Sequence, residues 1–257
     1  MRMEIKKDCS IIIPAYNEEK RIGKTVRSID AHLIDKRIDY EIIIVSVGST
    51  DGTVHLIESM SREMKNIRLI HNDVNHGKGW VVRQGMLDTQ AKIRLFMDAD
   101  NATSIEHFDR MIPFFEQGYQ VVIGSRDSKD AAGAQQSVPQ HFIKRFLGNM
   151  SNILIQIIAV WGVWDTQCGF KALTDNAAID IFSRAKIDRW GFDIELLMLA
   201  QRLGYPIAKI PVLWVNDFDS KVKLSAYGKT LAELLQIRWW LLKGDYRIKN
   251  KTRNLPR

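Results

Sequence analysis

The chain is short of the features that mark secreted and membrane-spanning proteins. Its 257 residues include two cysteines, Cys9 and Cys168. Two cannot build a disulfide framework, so a reducing compartment is expected. No stretch approaches the roughly 20 apolar residues that cross a bilayer. The longest candidate, Ile153 to Trp164, is interrupted by Gln156 and Gly162. Met1 to Asp8 lack the apolar core of a signal peptide and lead straight into a strand pattern, so no signal sequence is expected. Internal repeats and low-complexity tracts are missing. No Gly-x-Gly-x-x-Gly follows the first apolar run, which argues against a dinucleotide-dependent dehydrogenase.

What is present is ordinary in amount and uneven in placement. Hydrophobic residues make up 46% and charged residues 26%, as expected for a globular protein able to bury a large core. The net charge is +7, yet Lys221 to Arg257 alone carry +8, which leaves the rest at −1. A basic C-terminal end on a nearly neutral body argues against a nucleic-acid-binding core. It favours one polyanionic contact, with anionic lipid or a lipid phosphate as the leading candidates.

Ser10 to Pro14 and Glu41 to Val45 read as buried strands, and Ile67 to Ile70, Ile93 to Met97 and Gln120 to Ile123 as further strands. Between them Ile22, Val26, Ile29 and Leu33 share one helical face, with Asn17 as the expected N-cap. Other helices are expected after Gly52, from Asn75 through Met86, and from Ile105 through Phe115. Asp127 to Gln140 reads as a mobile flap. His141 to Trp164 predicts a helix pair, Asp165 to Lys171 a loop, Ile179 to Phe182 a short helix and Trp190 to Leu203 a longer one. Ile207 to Val215 predicts a strand, and Ser225 to Lys243 the last helix. The alternation predicts an α/β fold: a mostly parallel, Rossmann-like sheet with helices on both faces, plus C-terminal amphipathic helices. Ligands of such sheets bind outside the carboxyl ends of the strands. Pro14, Ser46, Asp98 and Gly124 all fall there, so their polar loops converge on one rim.

The chemistry centres on Phe96-Met-Asp-Ala-Asp100. Asp98 and Asp100 alternate in direction on an extended chain, so they can share one cation only where the chain turns after the strand. Two carboxylates are hard ligands suited to Mg²⁺ or Mn²⁺, whose remaining ligands would be phosphate oxygens.

Further segments join this pair: Ile13 to Glu18, Gly48 to Thr53, Asn75 to Gly79 with Arg83, Val122 to Arg126, Asp165 to Lys171, Arg189 to Leu197 and Ser220 to Val222. Together they resemble glycosyltransferase family 2, the inverting sugar-nucleotide enzymes of GT-A fold. Within it they resemble the dolichyl-phosphate and polyprenyl-phosphate β-glucosyltransferases and related mannosyltransferases. Ile13 to Glu18, Gly48 to Thr53, Asn75 to Gly79 and Phe96 to Asp100 are general to the family; Asp165 to Lys171 and Arg189 to Leu197 point to the polyprenyl-phosphate branch.

The resemblance implies transfer of a hexose, foremost glucose from UDP-glucose, to a polyprenyl or dolichyl phosphate. It implies a nucleotide-sugar site of Pro14, Ala15, Tyr16, Glu18, Ser46, Lys78, Arg83, Asp98, Ala99, Asp100, Gln167, Asp193 and Glu195. Asp98 and Asp100 would hold the metal. Arg126, Lys144, Arg145 and Lys221 would hold the acceptor phosphate, and Asp98, Asp100 and Arg126 would be catalytic. A lipid monophosphate is largely dianionic near neutral pH and needs no strong general base. Two departures stand out. Ala102 lies where relatives can carry a third metal ligand, so water, a phosphate oxygen or Thr103 would substitute. Val47 lies where an acidic residue usually contacts the nucleotide.

The transferase domain is expected over residues 1–222, with a nucleotide and metal half at 9–126 and an acceptor half at 127–222. A basic amphipathic helix and tail follow at 223–257. Trp161, Trp164, Trp239 and Trp240 suit a peripheral protein on the cytoplasmic face of a membrane. Three alternatives stay open: another donor such as GDP-mannose or UDP-N-acetylhexosamine, a soluble acceptor, or a sugar-nucleotide-binding protein without catalysis. A homo-oligomer also stays open.

Overall fold

A computed structural model describes residues 6–136, 152–215 and 225–248. Continuous apolar runs form the centre of a seven-stranded sheet: β1 (Cys9–Ala15), β2 (Tyr40–Val47), β3 (Ile67–Asn72), β4 (Ile93–Met97), β5 (Val121–Ser125), β7 (Phe170–Thr174) and β8 (Ile207–Pro211). Their order is β3-β2-β1-β4-β7-β5-β8. All neighbours run parallel except β7, which is antiparallel to both β4 and β5. A small second sheet pairs β6 (Gln135–Gln136) with β9 (Leu213–Trp214).

Alternate residues of each strand supply two cores, as a sheet covered on both faces requires. On one face Ile11, Ile13, Ile42, Ile44, Leu95 and Met97 pack with Ile22, Val26, Ile29 and Leu33 of α1 (Glu19–Asp35) and Ile57 and Met60 of α2 (Thr53–Glu63). On the other, Ile12, Ile43, Val45, Phe96 and Leu173 pack with α3 (Lys78–Leu87), α6 (Asp175–Phe182), α7 (Phe192–Leu203) and α8 (Ser225–Lys243). Residues 152–158 are also helical and form α5. The expected helix at Ile105 to Phe115 is instead a 3₁₀ turn, Ile105–Arg110, followed by the short α4, Ile112–Glu116. Pro113 at its start permits a helix there but cannot continue the preceding one.

Three further expectations are corrected. Asn17 is not the cap of α1: Glu18 is, and Asn17 takes a left-handed φ of 54° where the chain leaves β1. Its side-chain oxygen instead accepts the Thr50 N–H at 2.8 Å, tying the two rim loops together. Phe170 and Lys171 belong to a strand, because β7 fills the gap between β4 and β5. The near half of the predicted flap is anchored: the Asp130 carboxylate accepts the backbone N–H groups of Trp164 and Asp165 and the Lys209 ammonium. The far end of that stretch, 137–140, and residues 141–151 of the predicted helix pair lie outside the described residues.

Candidate active site

The carboxyl ends of β1, β2, β4 and β5 come together, and Asp98 is the first residue past β4. The turn there is tight. The Asp98 N–H donates to the Gly169 carbonyl at 3.2 Å, and a Cβ at position 169 would fall onto the Asp98 carboxylate. Only glycine allows that approach. Asp98 Oδ1 accepts the Lys78 ammonium at 2.5 Å, and Asp100 Oδ1 accepts the Ala102 N–H at 3.0 Å. Burial, then the negative charge of Asp98, raise the Asp100 carboxyl above the ordinary carboxylate range.

These residues fit a hard divalent cation. Among the described residues no group of three or more His, Cys, Asp or Glu side chains could enclose a metal. Two carboxylates are nonetheless the usual protein share for a cation that keeps waters and substrate phosphates as its other ligands. Asn101, also left-handed at φ 55°, has a buried side-chain oxygen with no partner among the described residues. Ala102 gives Asp100 its N–H, its carbonyl accepts the Val215 N–H, and its side chain is buried.

Lys78 opens α3 between two glycines. Side chains at Gly77 or Gly79 would collide with the carbonyls of Asp188 and Ile187, so both let α3 start directly against the 185–191 segment. Burial opposes the Lys78 ammonium, but Asp98 and Asp193 outweigh it and raise its pKa. Arg83 does not join Lys78: its guanidinium donates to Asp188 at 2.6 Å and to the Ala185 carbonyl at 3.2 Å. Arg83, expected at the nucleotide-sugar site, is thus held by the 185–191 segment rather than by the carboxylates after β4.

A second cationic cluster lies beyond β5. Asp165 accepts the Arg126 Nε, Nη2 and backbone N–H, each at 2.8 Å, and the Trp214 ring lies 5.3 Å from the guanidinium. Burial pushes the Asp165 carboxyl up, but the Arg126 charge outweighs it and holds the carboxyl below its ordinary value. Beneath, Lys171 is fully buried and donates to Asp193 at 2.5 Å. Burial raises the Asp193 carboxyl, and Lys171 and Lys78 oppose the rise. Burial likewise pushes the Cys168 thiol up to about 12, which makes it inert.

The other expected residues divide by exposure. Tyr16 and Gln167 are exposed, Pro14 is half-buried, and Ala15 and Ala99 are buried. The Glu18 carboxylate pairs with Arg21 at 2.6 Å, and the buried Ser46 hydroxyl donates to Ser49 at 3.1 Å. Val47 is buried in the apolar core that also holds Val45 and Val82. Glu195 is corrected as a ligand: it is fully buried, and its oxygens accept the Lys186 and Ile187 N–H groups and the Tyr246 hydroxyl. Lys144, Arg145 and Lys221 lie outside the described residues. Gly169 and Asp188 were missed, although the glycine in Cys168-Gly169-Phe170 was a visible signal for a close backbone approach.

A Rossmann-like sheet carrying an Asp-x-Asp turn at its carboxyl rim is the frame of a sugar-nucleotide transferase. The model of glycosyl transferase family 2 matches residues 10–182, and the chain belongs to that family. Over 94% of its length it is 34% identical to a dolichyl-phosphate β-glucosyltransferase of Trichomonas vaginalis, covering 74% of that protein. It is 35% identical to the dolichyl-phosphate β-glucosyltransferase of Dictyostelium discoideum, with 94% and 77% covered. Among solved structures, glucosyl-3-phosphoglycerate synthase of Mycobacterium tuberculosis, crystallised with Mn²⁺, UDP and glucosyl-3-phosphoglycerate, shares the fold. Its TM-score is 0.65 at 20% identity, over 95% of this chain and 82% of that one.

Proposed function

We propose that the protein transfers glucose from UDP-glucose, with inversion, to a dolichyl-type polyprenyl phosphate. The observation that carries this reading is Asp98, Asp100 and Lys78 gathered at one strand end, in a chain matching dolichyl-phosphate β-glucosyltransferases over nearly its whole length. In the reaction a phosphate oxygen of the lipid attacks the sugar C1 as the C1–O bond to UDP breaks, and the bond's electron pair leaves with UDP. A Mg²⁺ or Mn²⁺ ion on Asp98 and Asp100 would neutralise charge on the departing diphosphate. Lys78 supports the same charge from the N-terminal end of α3, where anions are already favoured.

Arg126 receives the acceptor phosphate. Asp165 holds its Nε and Nη2, and the guanidinium would donate from its remaining N–H groups to a phosphate oxygen. Lys144, Arg145 and Lys221 complete that subsite, and Tyr16 with Pro14 packs the uracil. Incubation with labelled UDP-glucose, polyprenyl phosphate and Mn²⁺ is expected to yield a lipid-linked glucose. Absence of product with any hexose donor would refute the transfer.

The lipid acceptor requires a membrane surface. No helix among the described residues is long and apolar enough to cross one. Leu231, Leu235, Trp239 and Leu242 are exposed on α8, and Trp161 is 78% exposed on a turn pinned by Gln201. Trp164 and Trp240 are half-buried; Trp240 packs on the core, and the Lys129 ammonium lies over the Trp164 ring. We place the protein peripherally on the cytoplasmic leaflet through these exposed residues and the basic C-terminal end. One observation favours a second reading, a sugar-nucleotide-binding protein without catalysis: Val47 puts an apolar core residue where an acidic one usually meets the nucleotide. Binding of UDP with Mn²⁺ in calorimetry, without turnover, would select it.

A further inference from the structure

The segment 185–191 between α6 and α7 is gripped from three sides. From beneath, Glu195 of α7 accepts the Lys186 and Ile187 N–H groups at 3.0 and 2.8 Å, and the Tyr246 hydroxyl at 2.7 Å. A fully buried carboxylate is costly unless every lone pair is used, and this one satisfies loop donors that would otherwise be orphaned. From α8, Glu233 Oε2 accepts the Gly191 N–H at 2.7 Å, and any side chain at Gly191 would press on Glu233. From α3, the Trp80 N–H donates to the Asp188 carbonyl at 3.1 Å and Arg83 holds Asp188 and the Ala185 carbonyl.

Lys78 sits between Gly77 and Gly79, the two residues whose missing side chains let α3 touch this loop. Its ammonium lies 5.7 Å from the Trp190 ring and 5.9 Å from the Phe192 ring, at the loop's far end, and 2.5 Å from Asp98. A continuous set of contacts therefore runs from α8 and Tyr246, through the loop backbone, to the cation at the metal-binding carboxylates. None of the three anchoring side chains is bonded to Asp98 or Asp100.

We infer that residues 185–191 form a strut by which α8 and the segment after it set Lys78 against Asp98, with Glu195, Glu233 and Tyr246 as positioning residues. The helix that carries the exposed apolar stripe is thereby coupled to the nucleotide side of the site. The strut follows from the geometry alone; only the ligand of the second measurement below depends on the proposed donor.

The experiment uses the full chain with Tyr246→Phe, Glu233→Ala and Glu233→Gln. Without ligand, hydrogen exchange is expected to speed up about tenfold in the peptide spanning 77–83 for Tyr246→Phe and Glu233→Ala, and not in α1. Glu233→Gln, which keeps an acceptor for Gly191, should restore protection. In calorimetry with UDP and Mn²⁺ the first two variants should weaken binding about fivefold, and that loss should vanish when Lys78→Gln is already present. Unchanged exchange in 77–83, or a loss equally large in the Lys78→Gln background, would overturn the strut. If the wild type fails to bind UDP, the donor assignment falls, and exchange in 77–83 alone decides the strut.

Discussion

Asp98 has a lysine ammonium on one side and a glycine backbone on the other, and this sets how each neighbour responds to substitution. Gly169→Ala would drive a methyl group into the carboxylate. It is expected to weaken metal-dependent UDP binding at least about tenfold, or ~1.4 kcal/mol, which titration calorimetry would measure. Asp100→Ala should abolish that binding and change the melting temperature little, because burial and the Asp98 charge already oppose the Asp100 carboxylate in the fold. Asp165 behaves differently. Its carboxyl is held below its ordinary value, so its stabilising contribution is full above the unfolded pKa of about 3.9 and is lost as pH falls through the lower folded one. Asp165→Asn should cost about 3 kcal/mol at neutral pH by leaving Arg126 without its partner. Denaturant melts of the variant should also lack that part of the acid-range slope. The Asp98/Asp100 turn was legible because it closes an apolar run. The contacts of Glu195 were not: its partners are backbone N–H groups and Tyr246, 51 positions away, and no local pattern encodes such a pairing.

At the scale of elements, β1, β2, β4 and β5 were readable as continuous apolar runs, and α8 matched its expected span. β7 was not. It is five residues long and carries Lys171, a charge that reads as loop until Asp193 is seen to satisfy it in the core. The segment before it serves the site: the Asp165 to Lys171 motif supplies both Arg126's partner and the glycine under Asp98. Arg83 was legible only in part: its spacing on α3 fixes its distance from Lys78 but not that Asp188 and the Ala185 carbonyl hold its guanidinium. The exposed stripe Leu231, Leu235 and Trp239 recurs every four residues, so it lies on one face of α8. Leu235→Ser with Trp239→Ser should reduce pelleting with anionic liposomes severalfold without lowering UDP affinity. Equal pelleting of variant and wild type would remove α8 from the membrane contact.

For the whole molecule, a sheet with cores on both faces leaves one edge of the layered structure, the carboxyl rim, for chemistry. At that rim Arg126, paired with Asp165, lies close enough to Asp98 for that carboxylate to favour its charge. The arrangement suits two anionic substrates that must meet while keeping separate countercharges. The most direct test is a crystal soaked with UDP and Mn²⁺, with the metal located by its anomalous signal. One manganese held by the Asp98 and Asp100 carboxylates beside the diphosphate is expected. Manganese bound elsewhere, or a diphosphate seated away from both carboxylates, would contradict it.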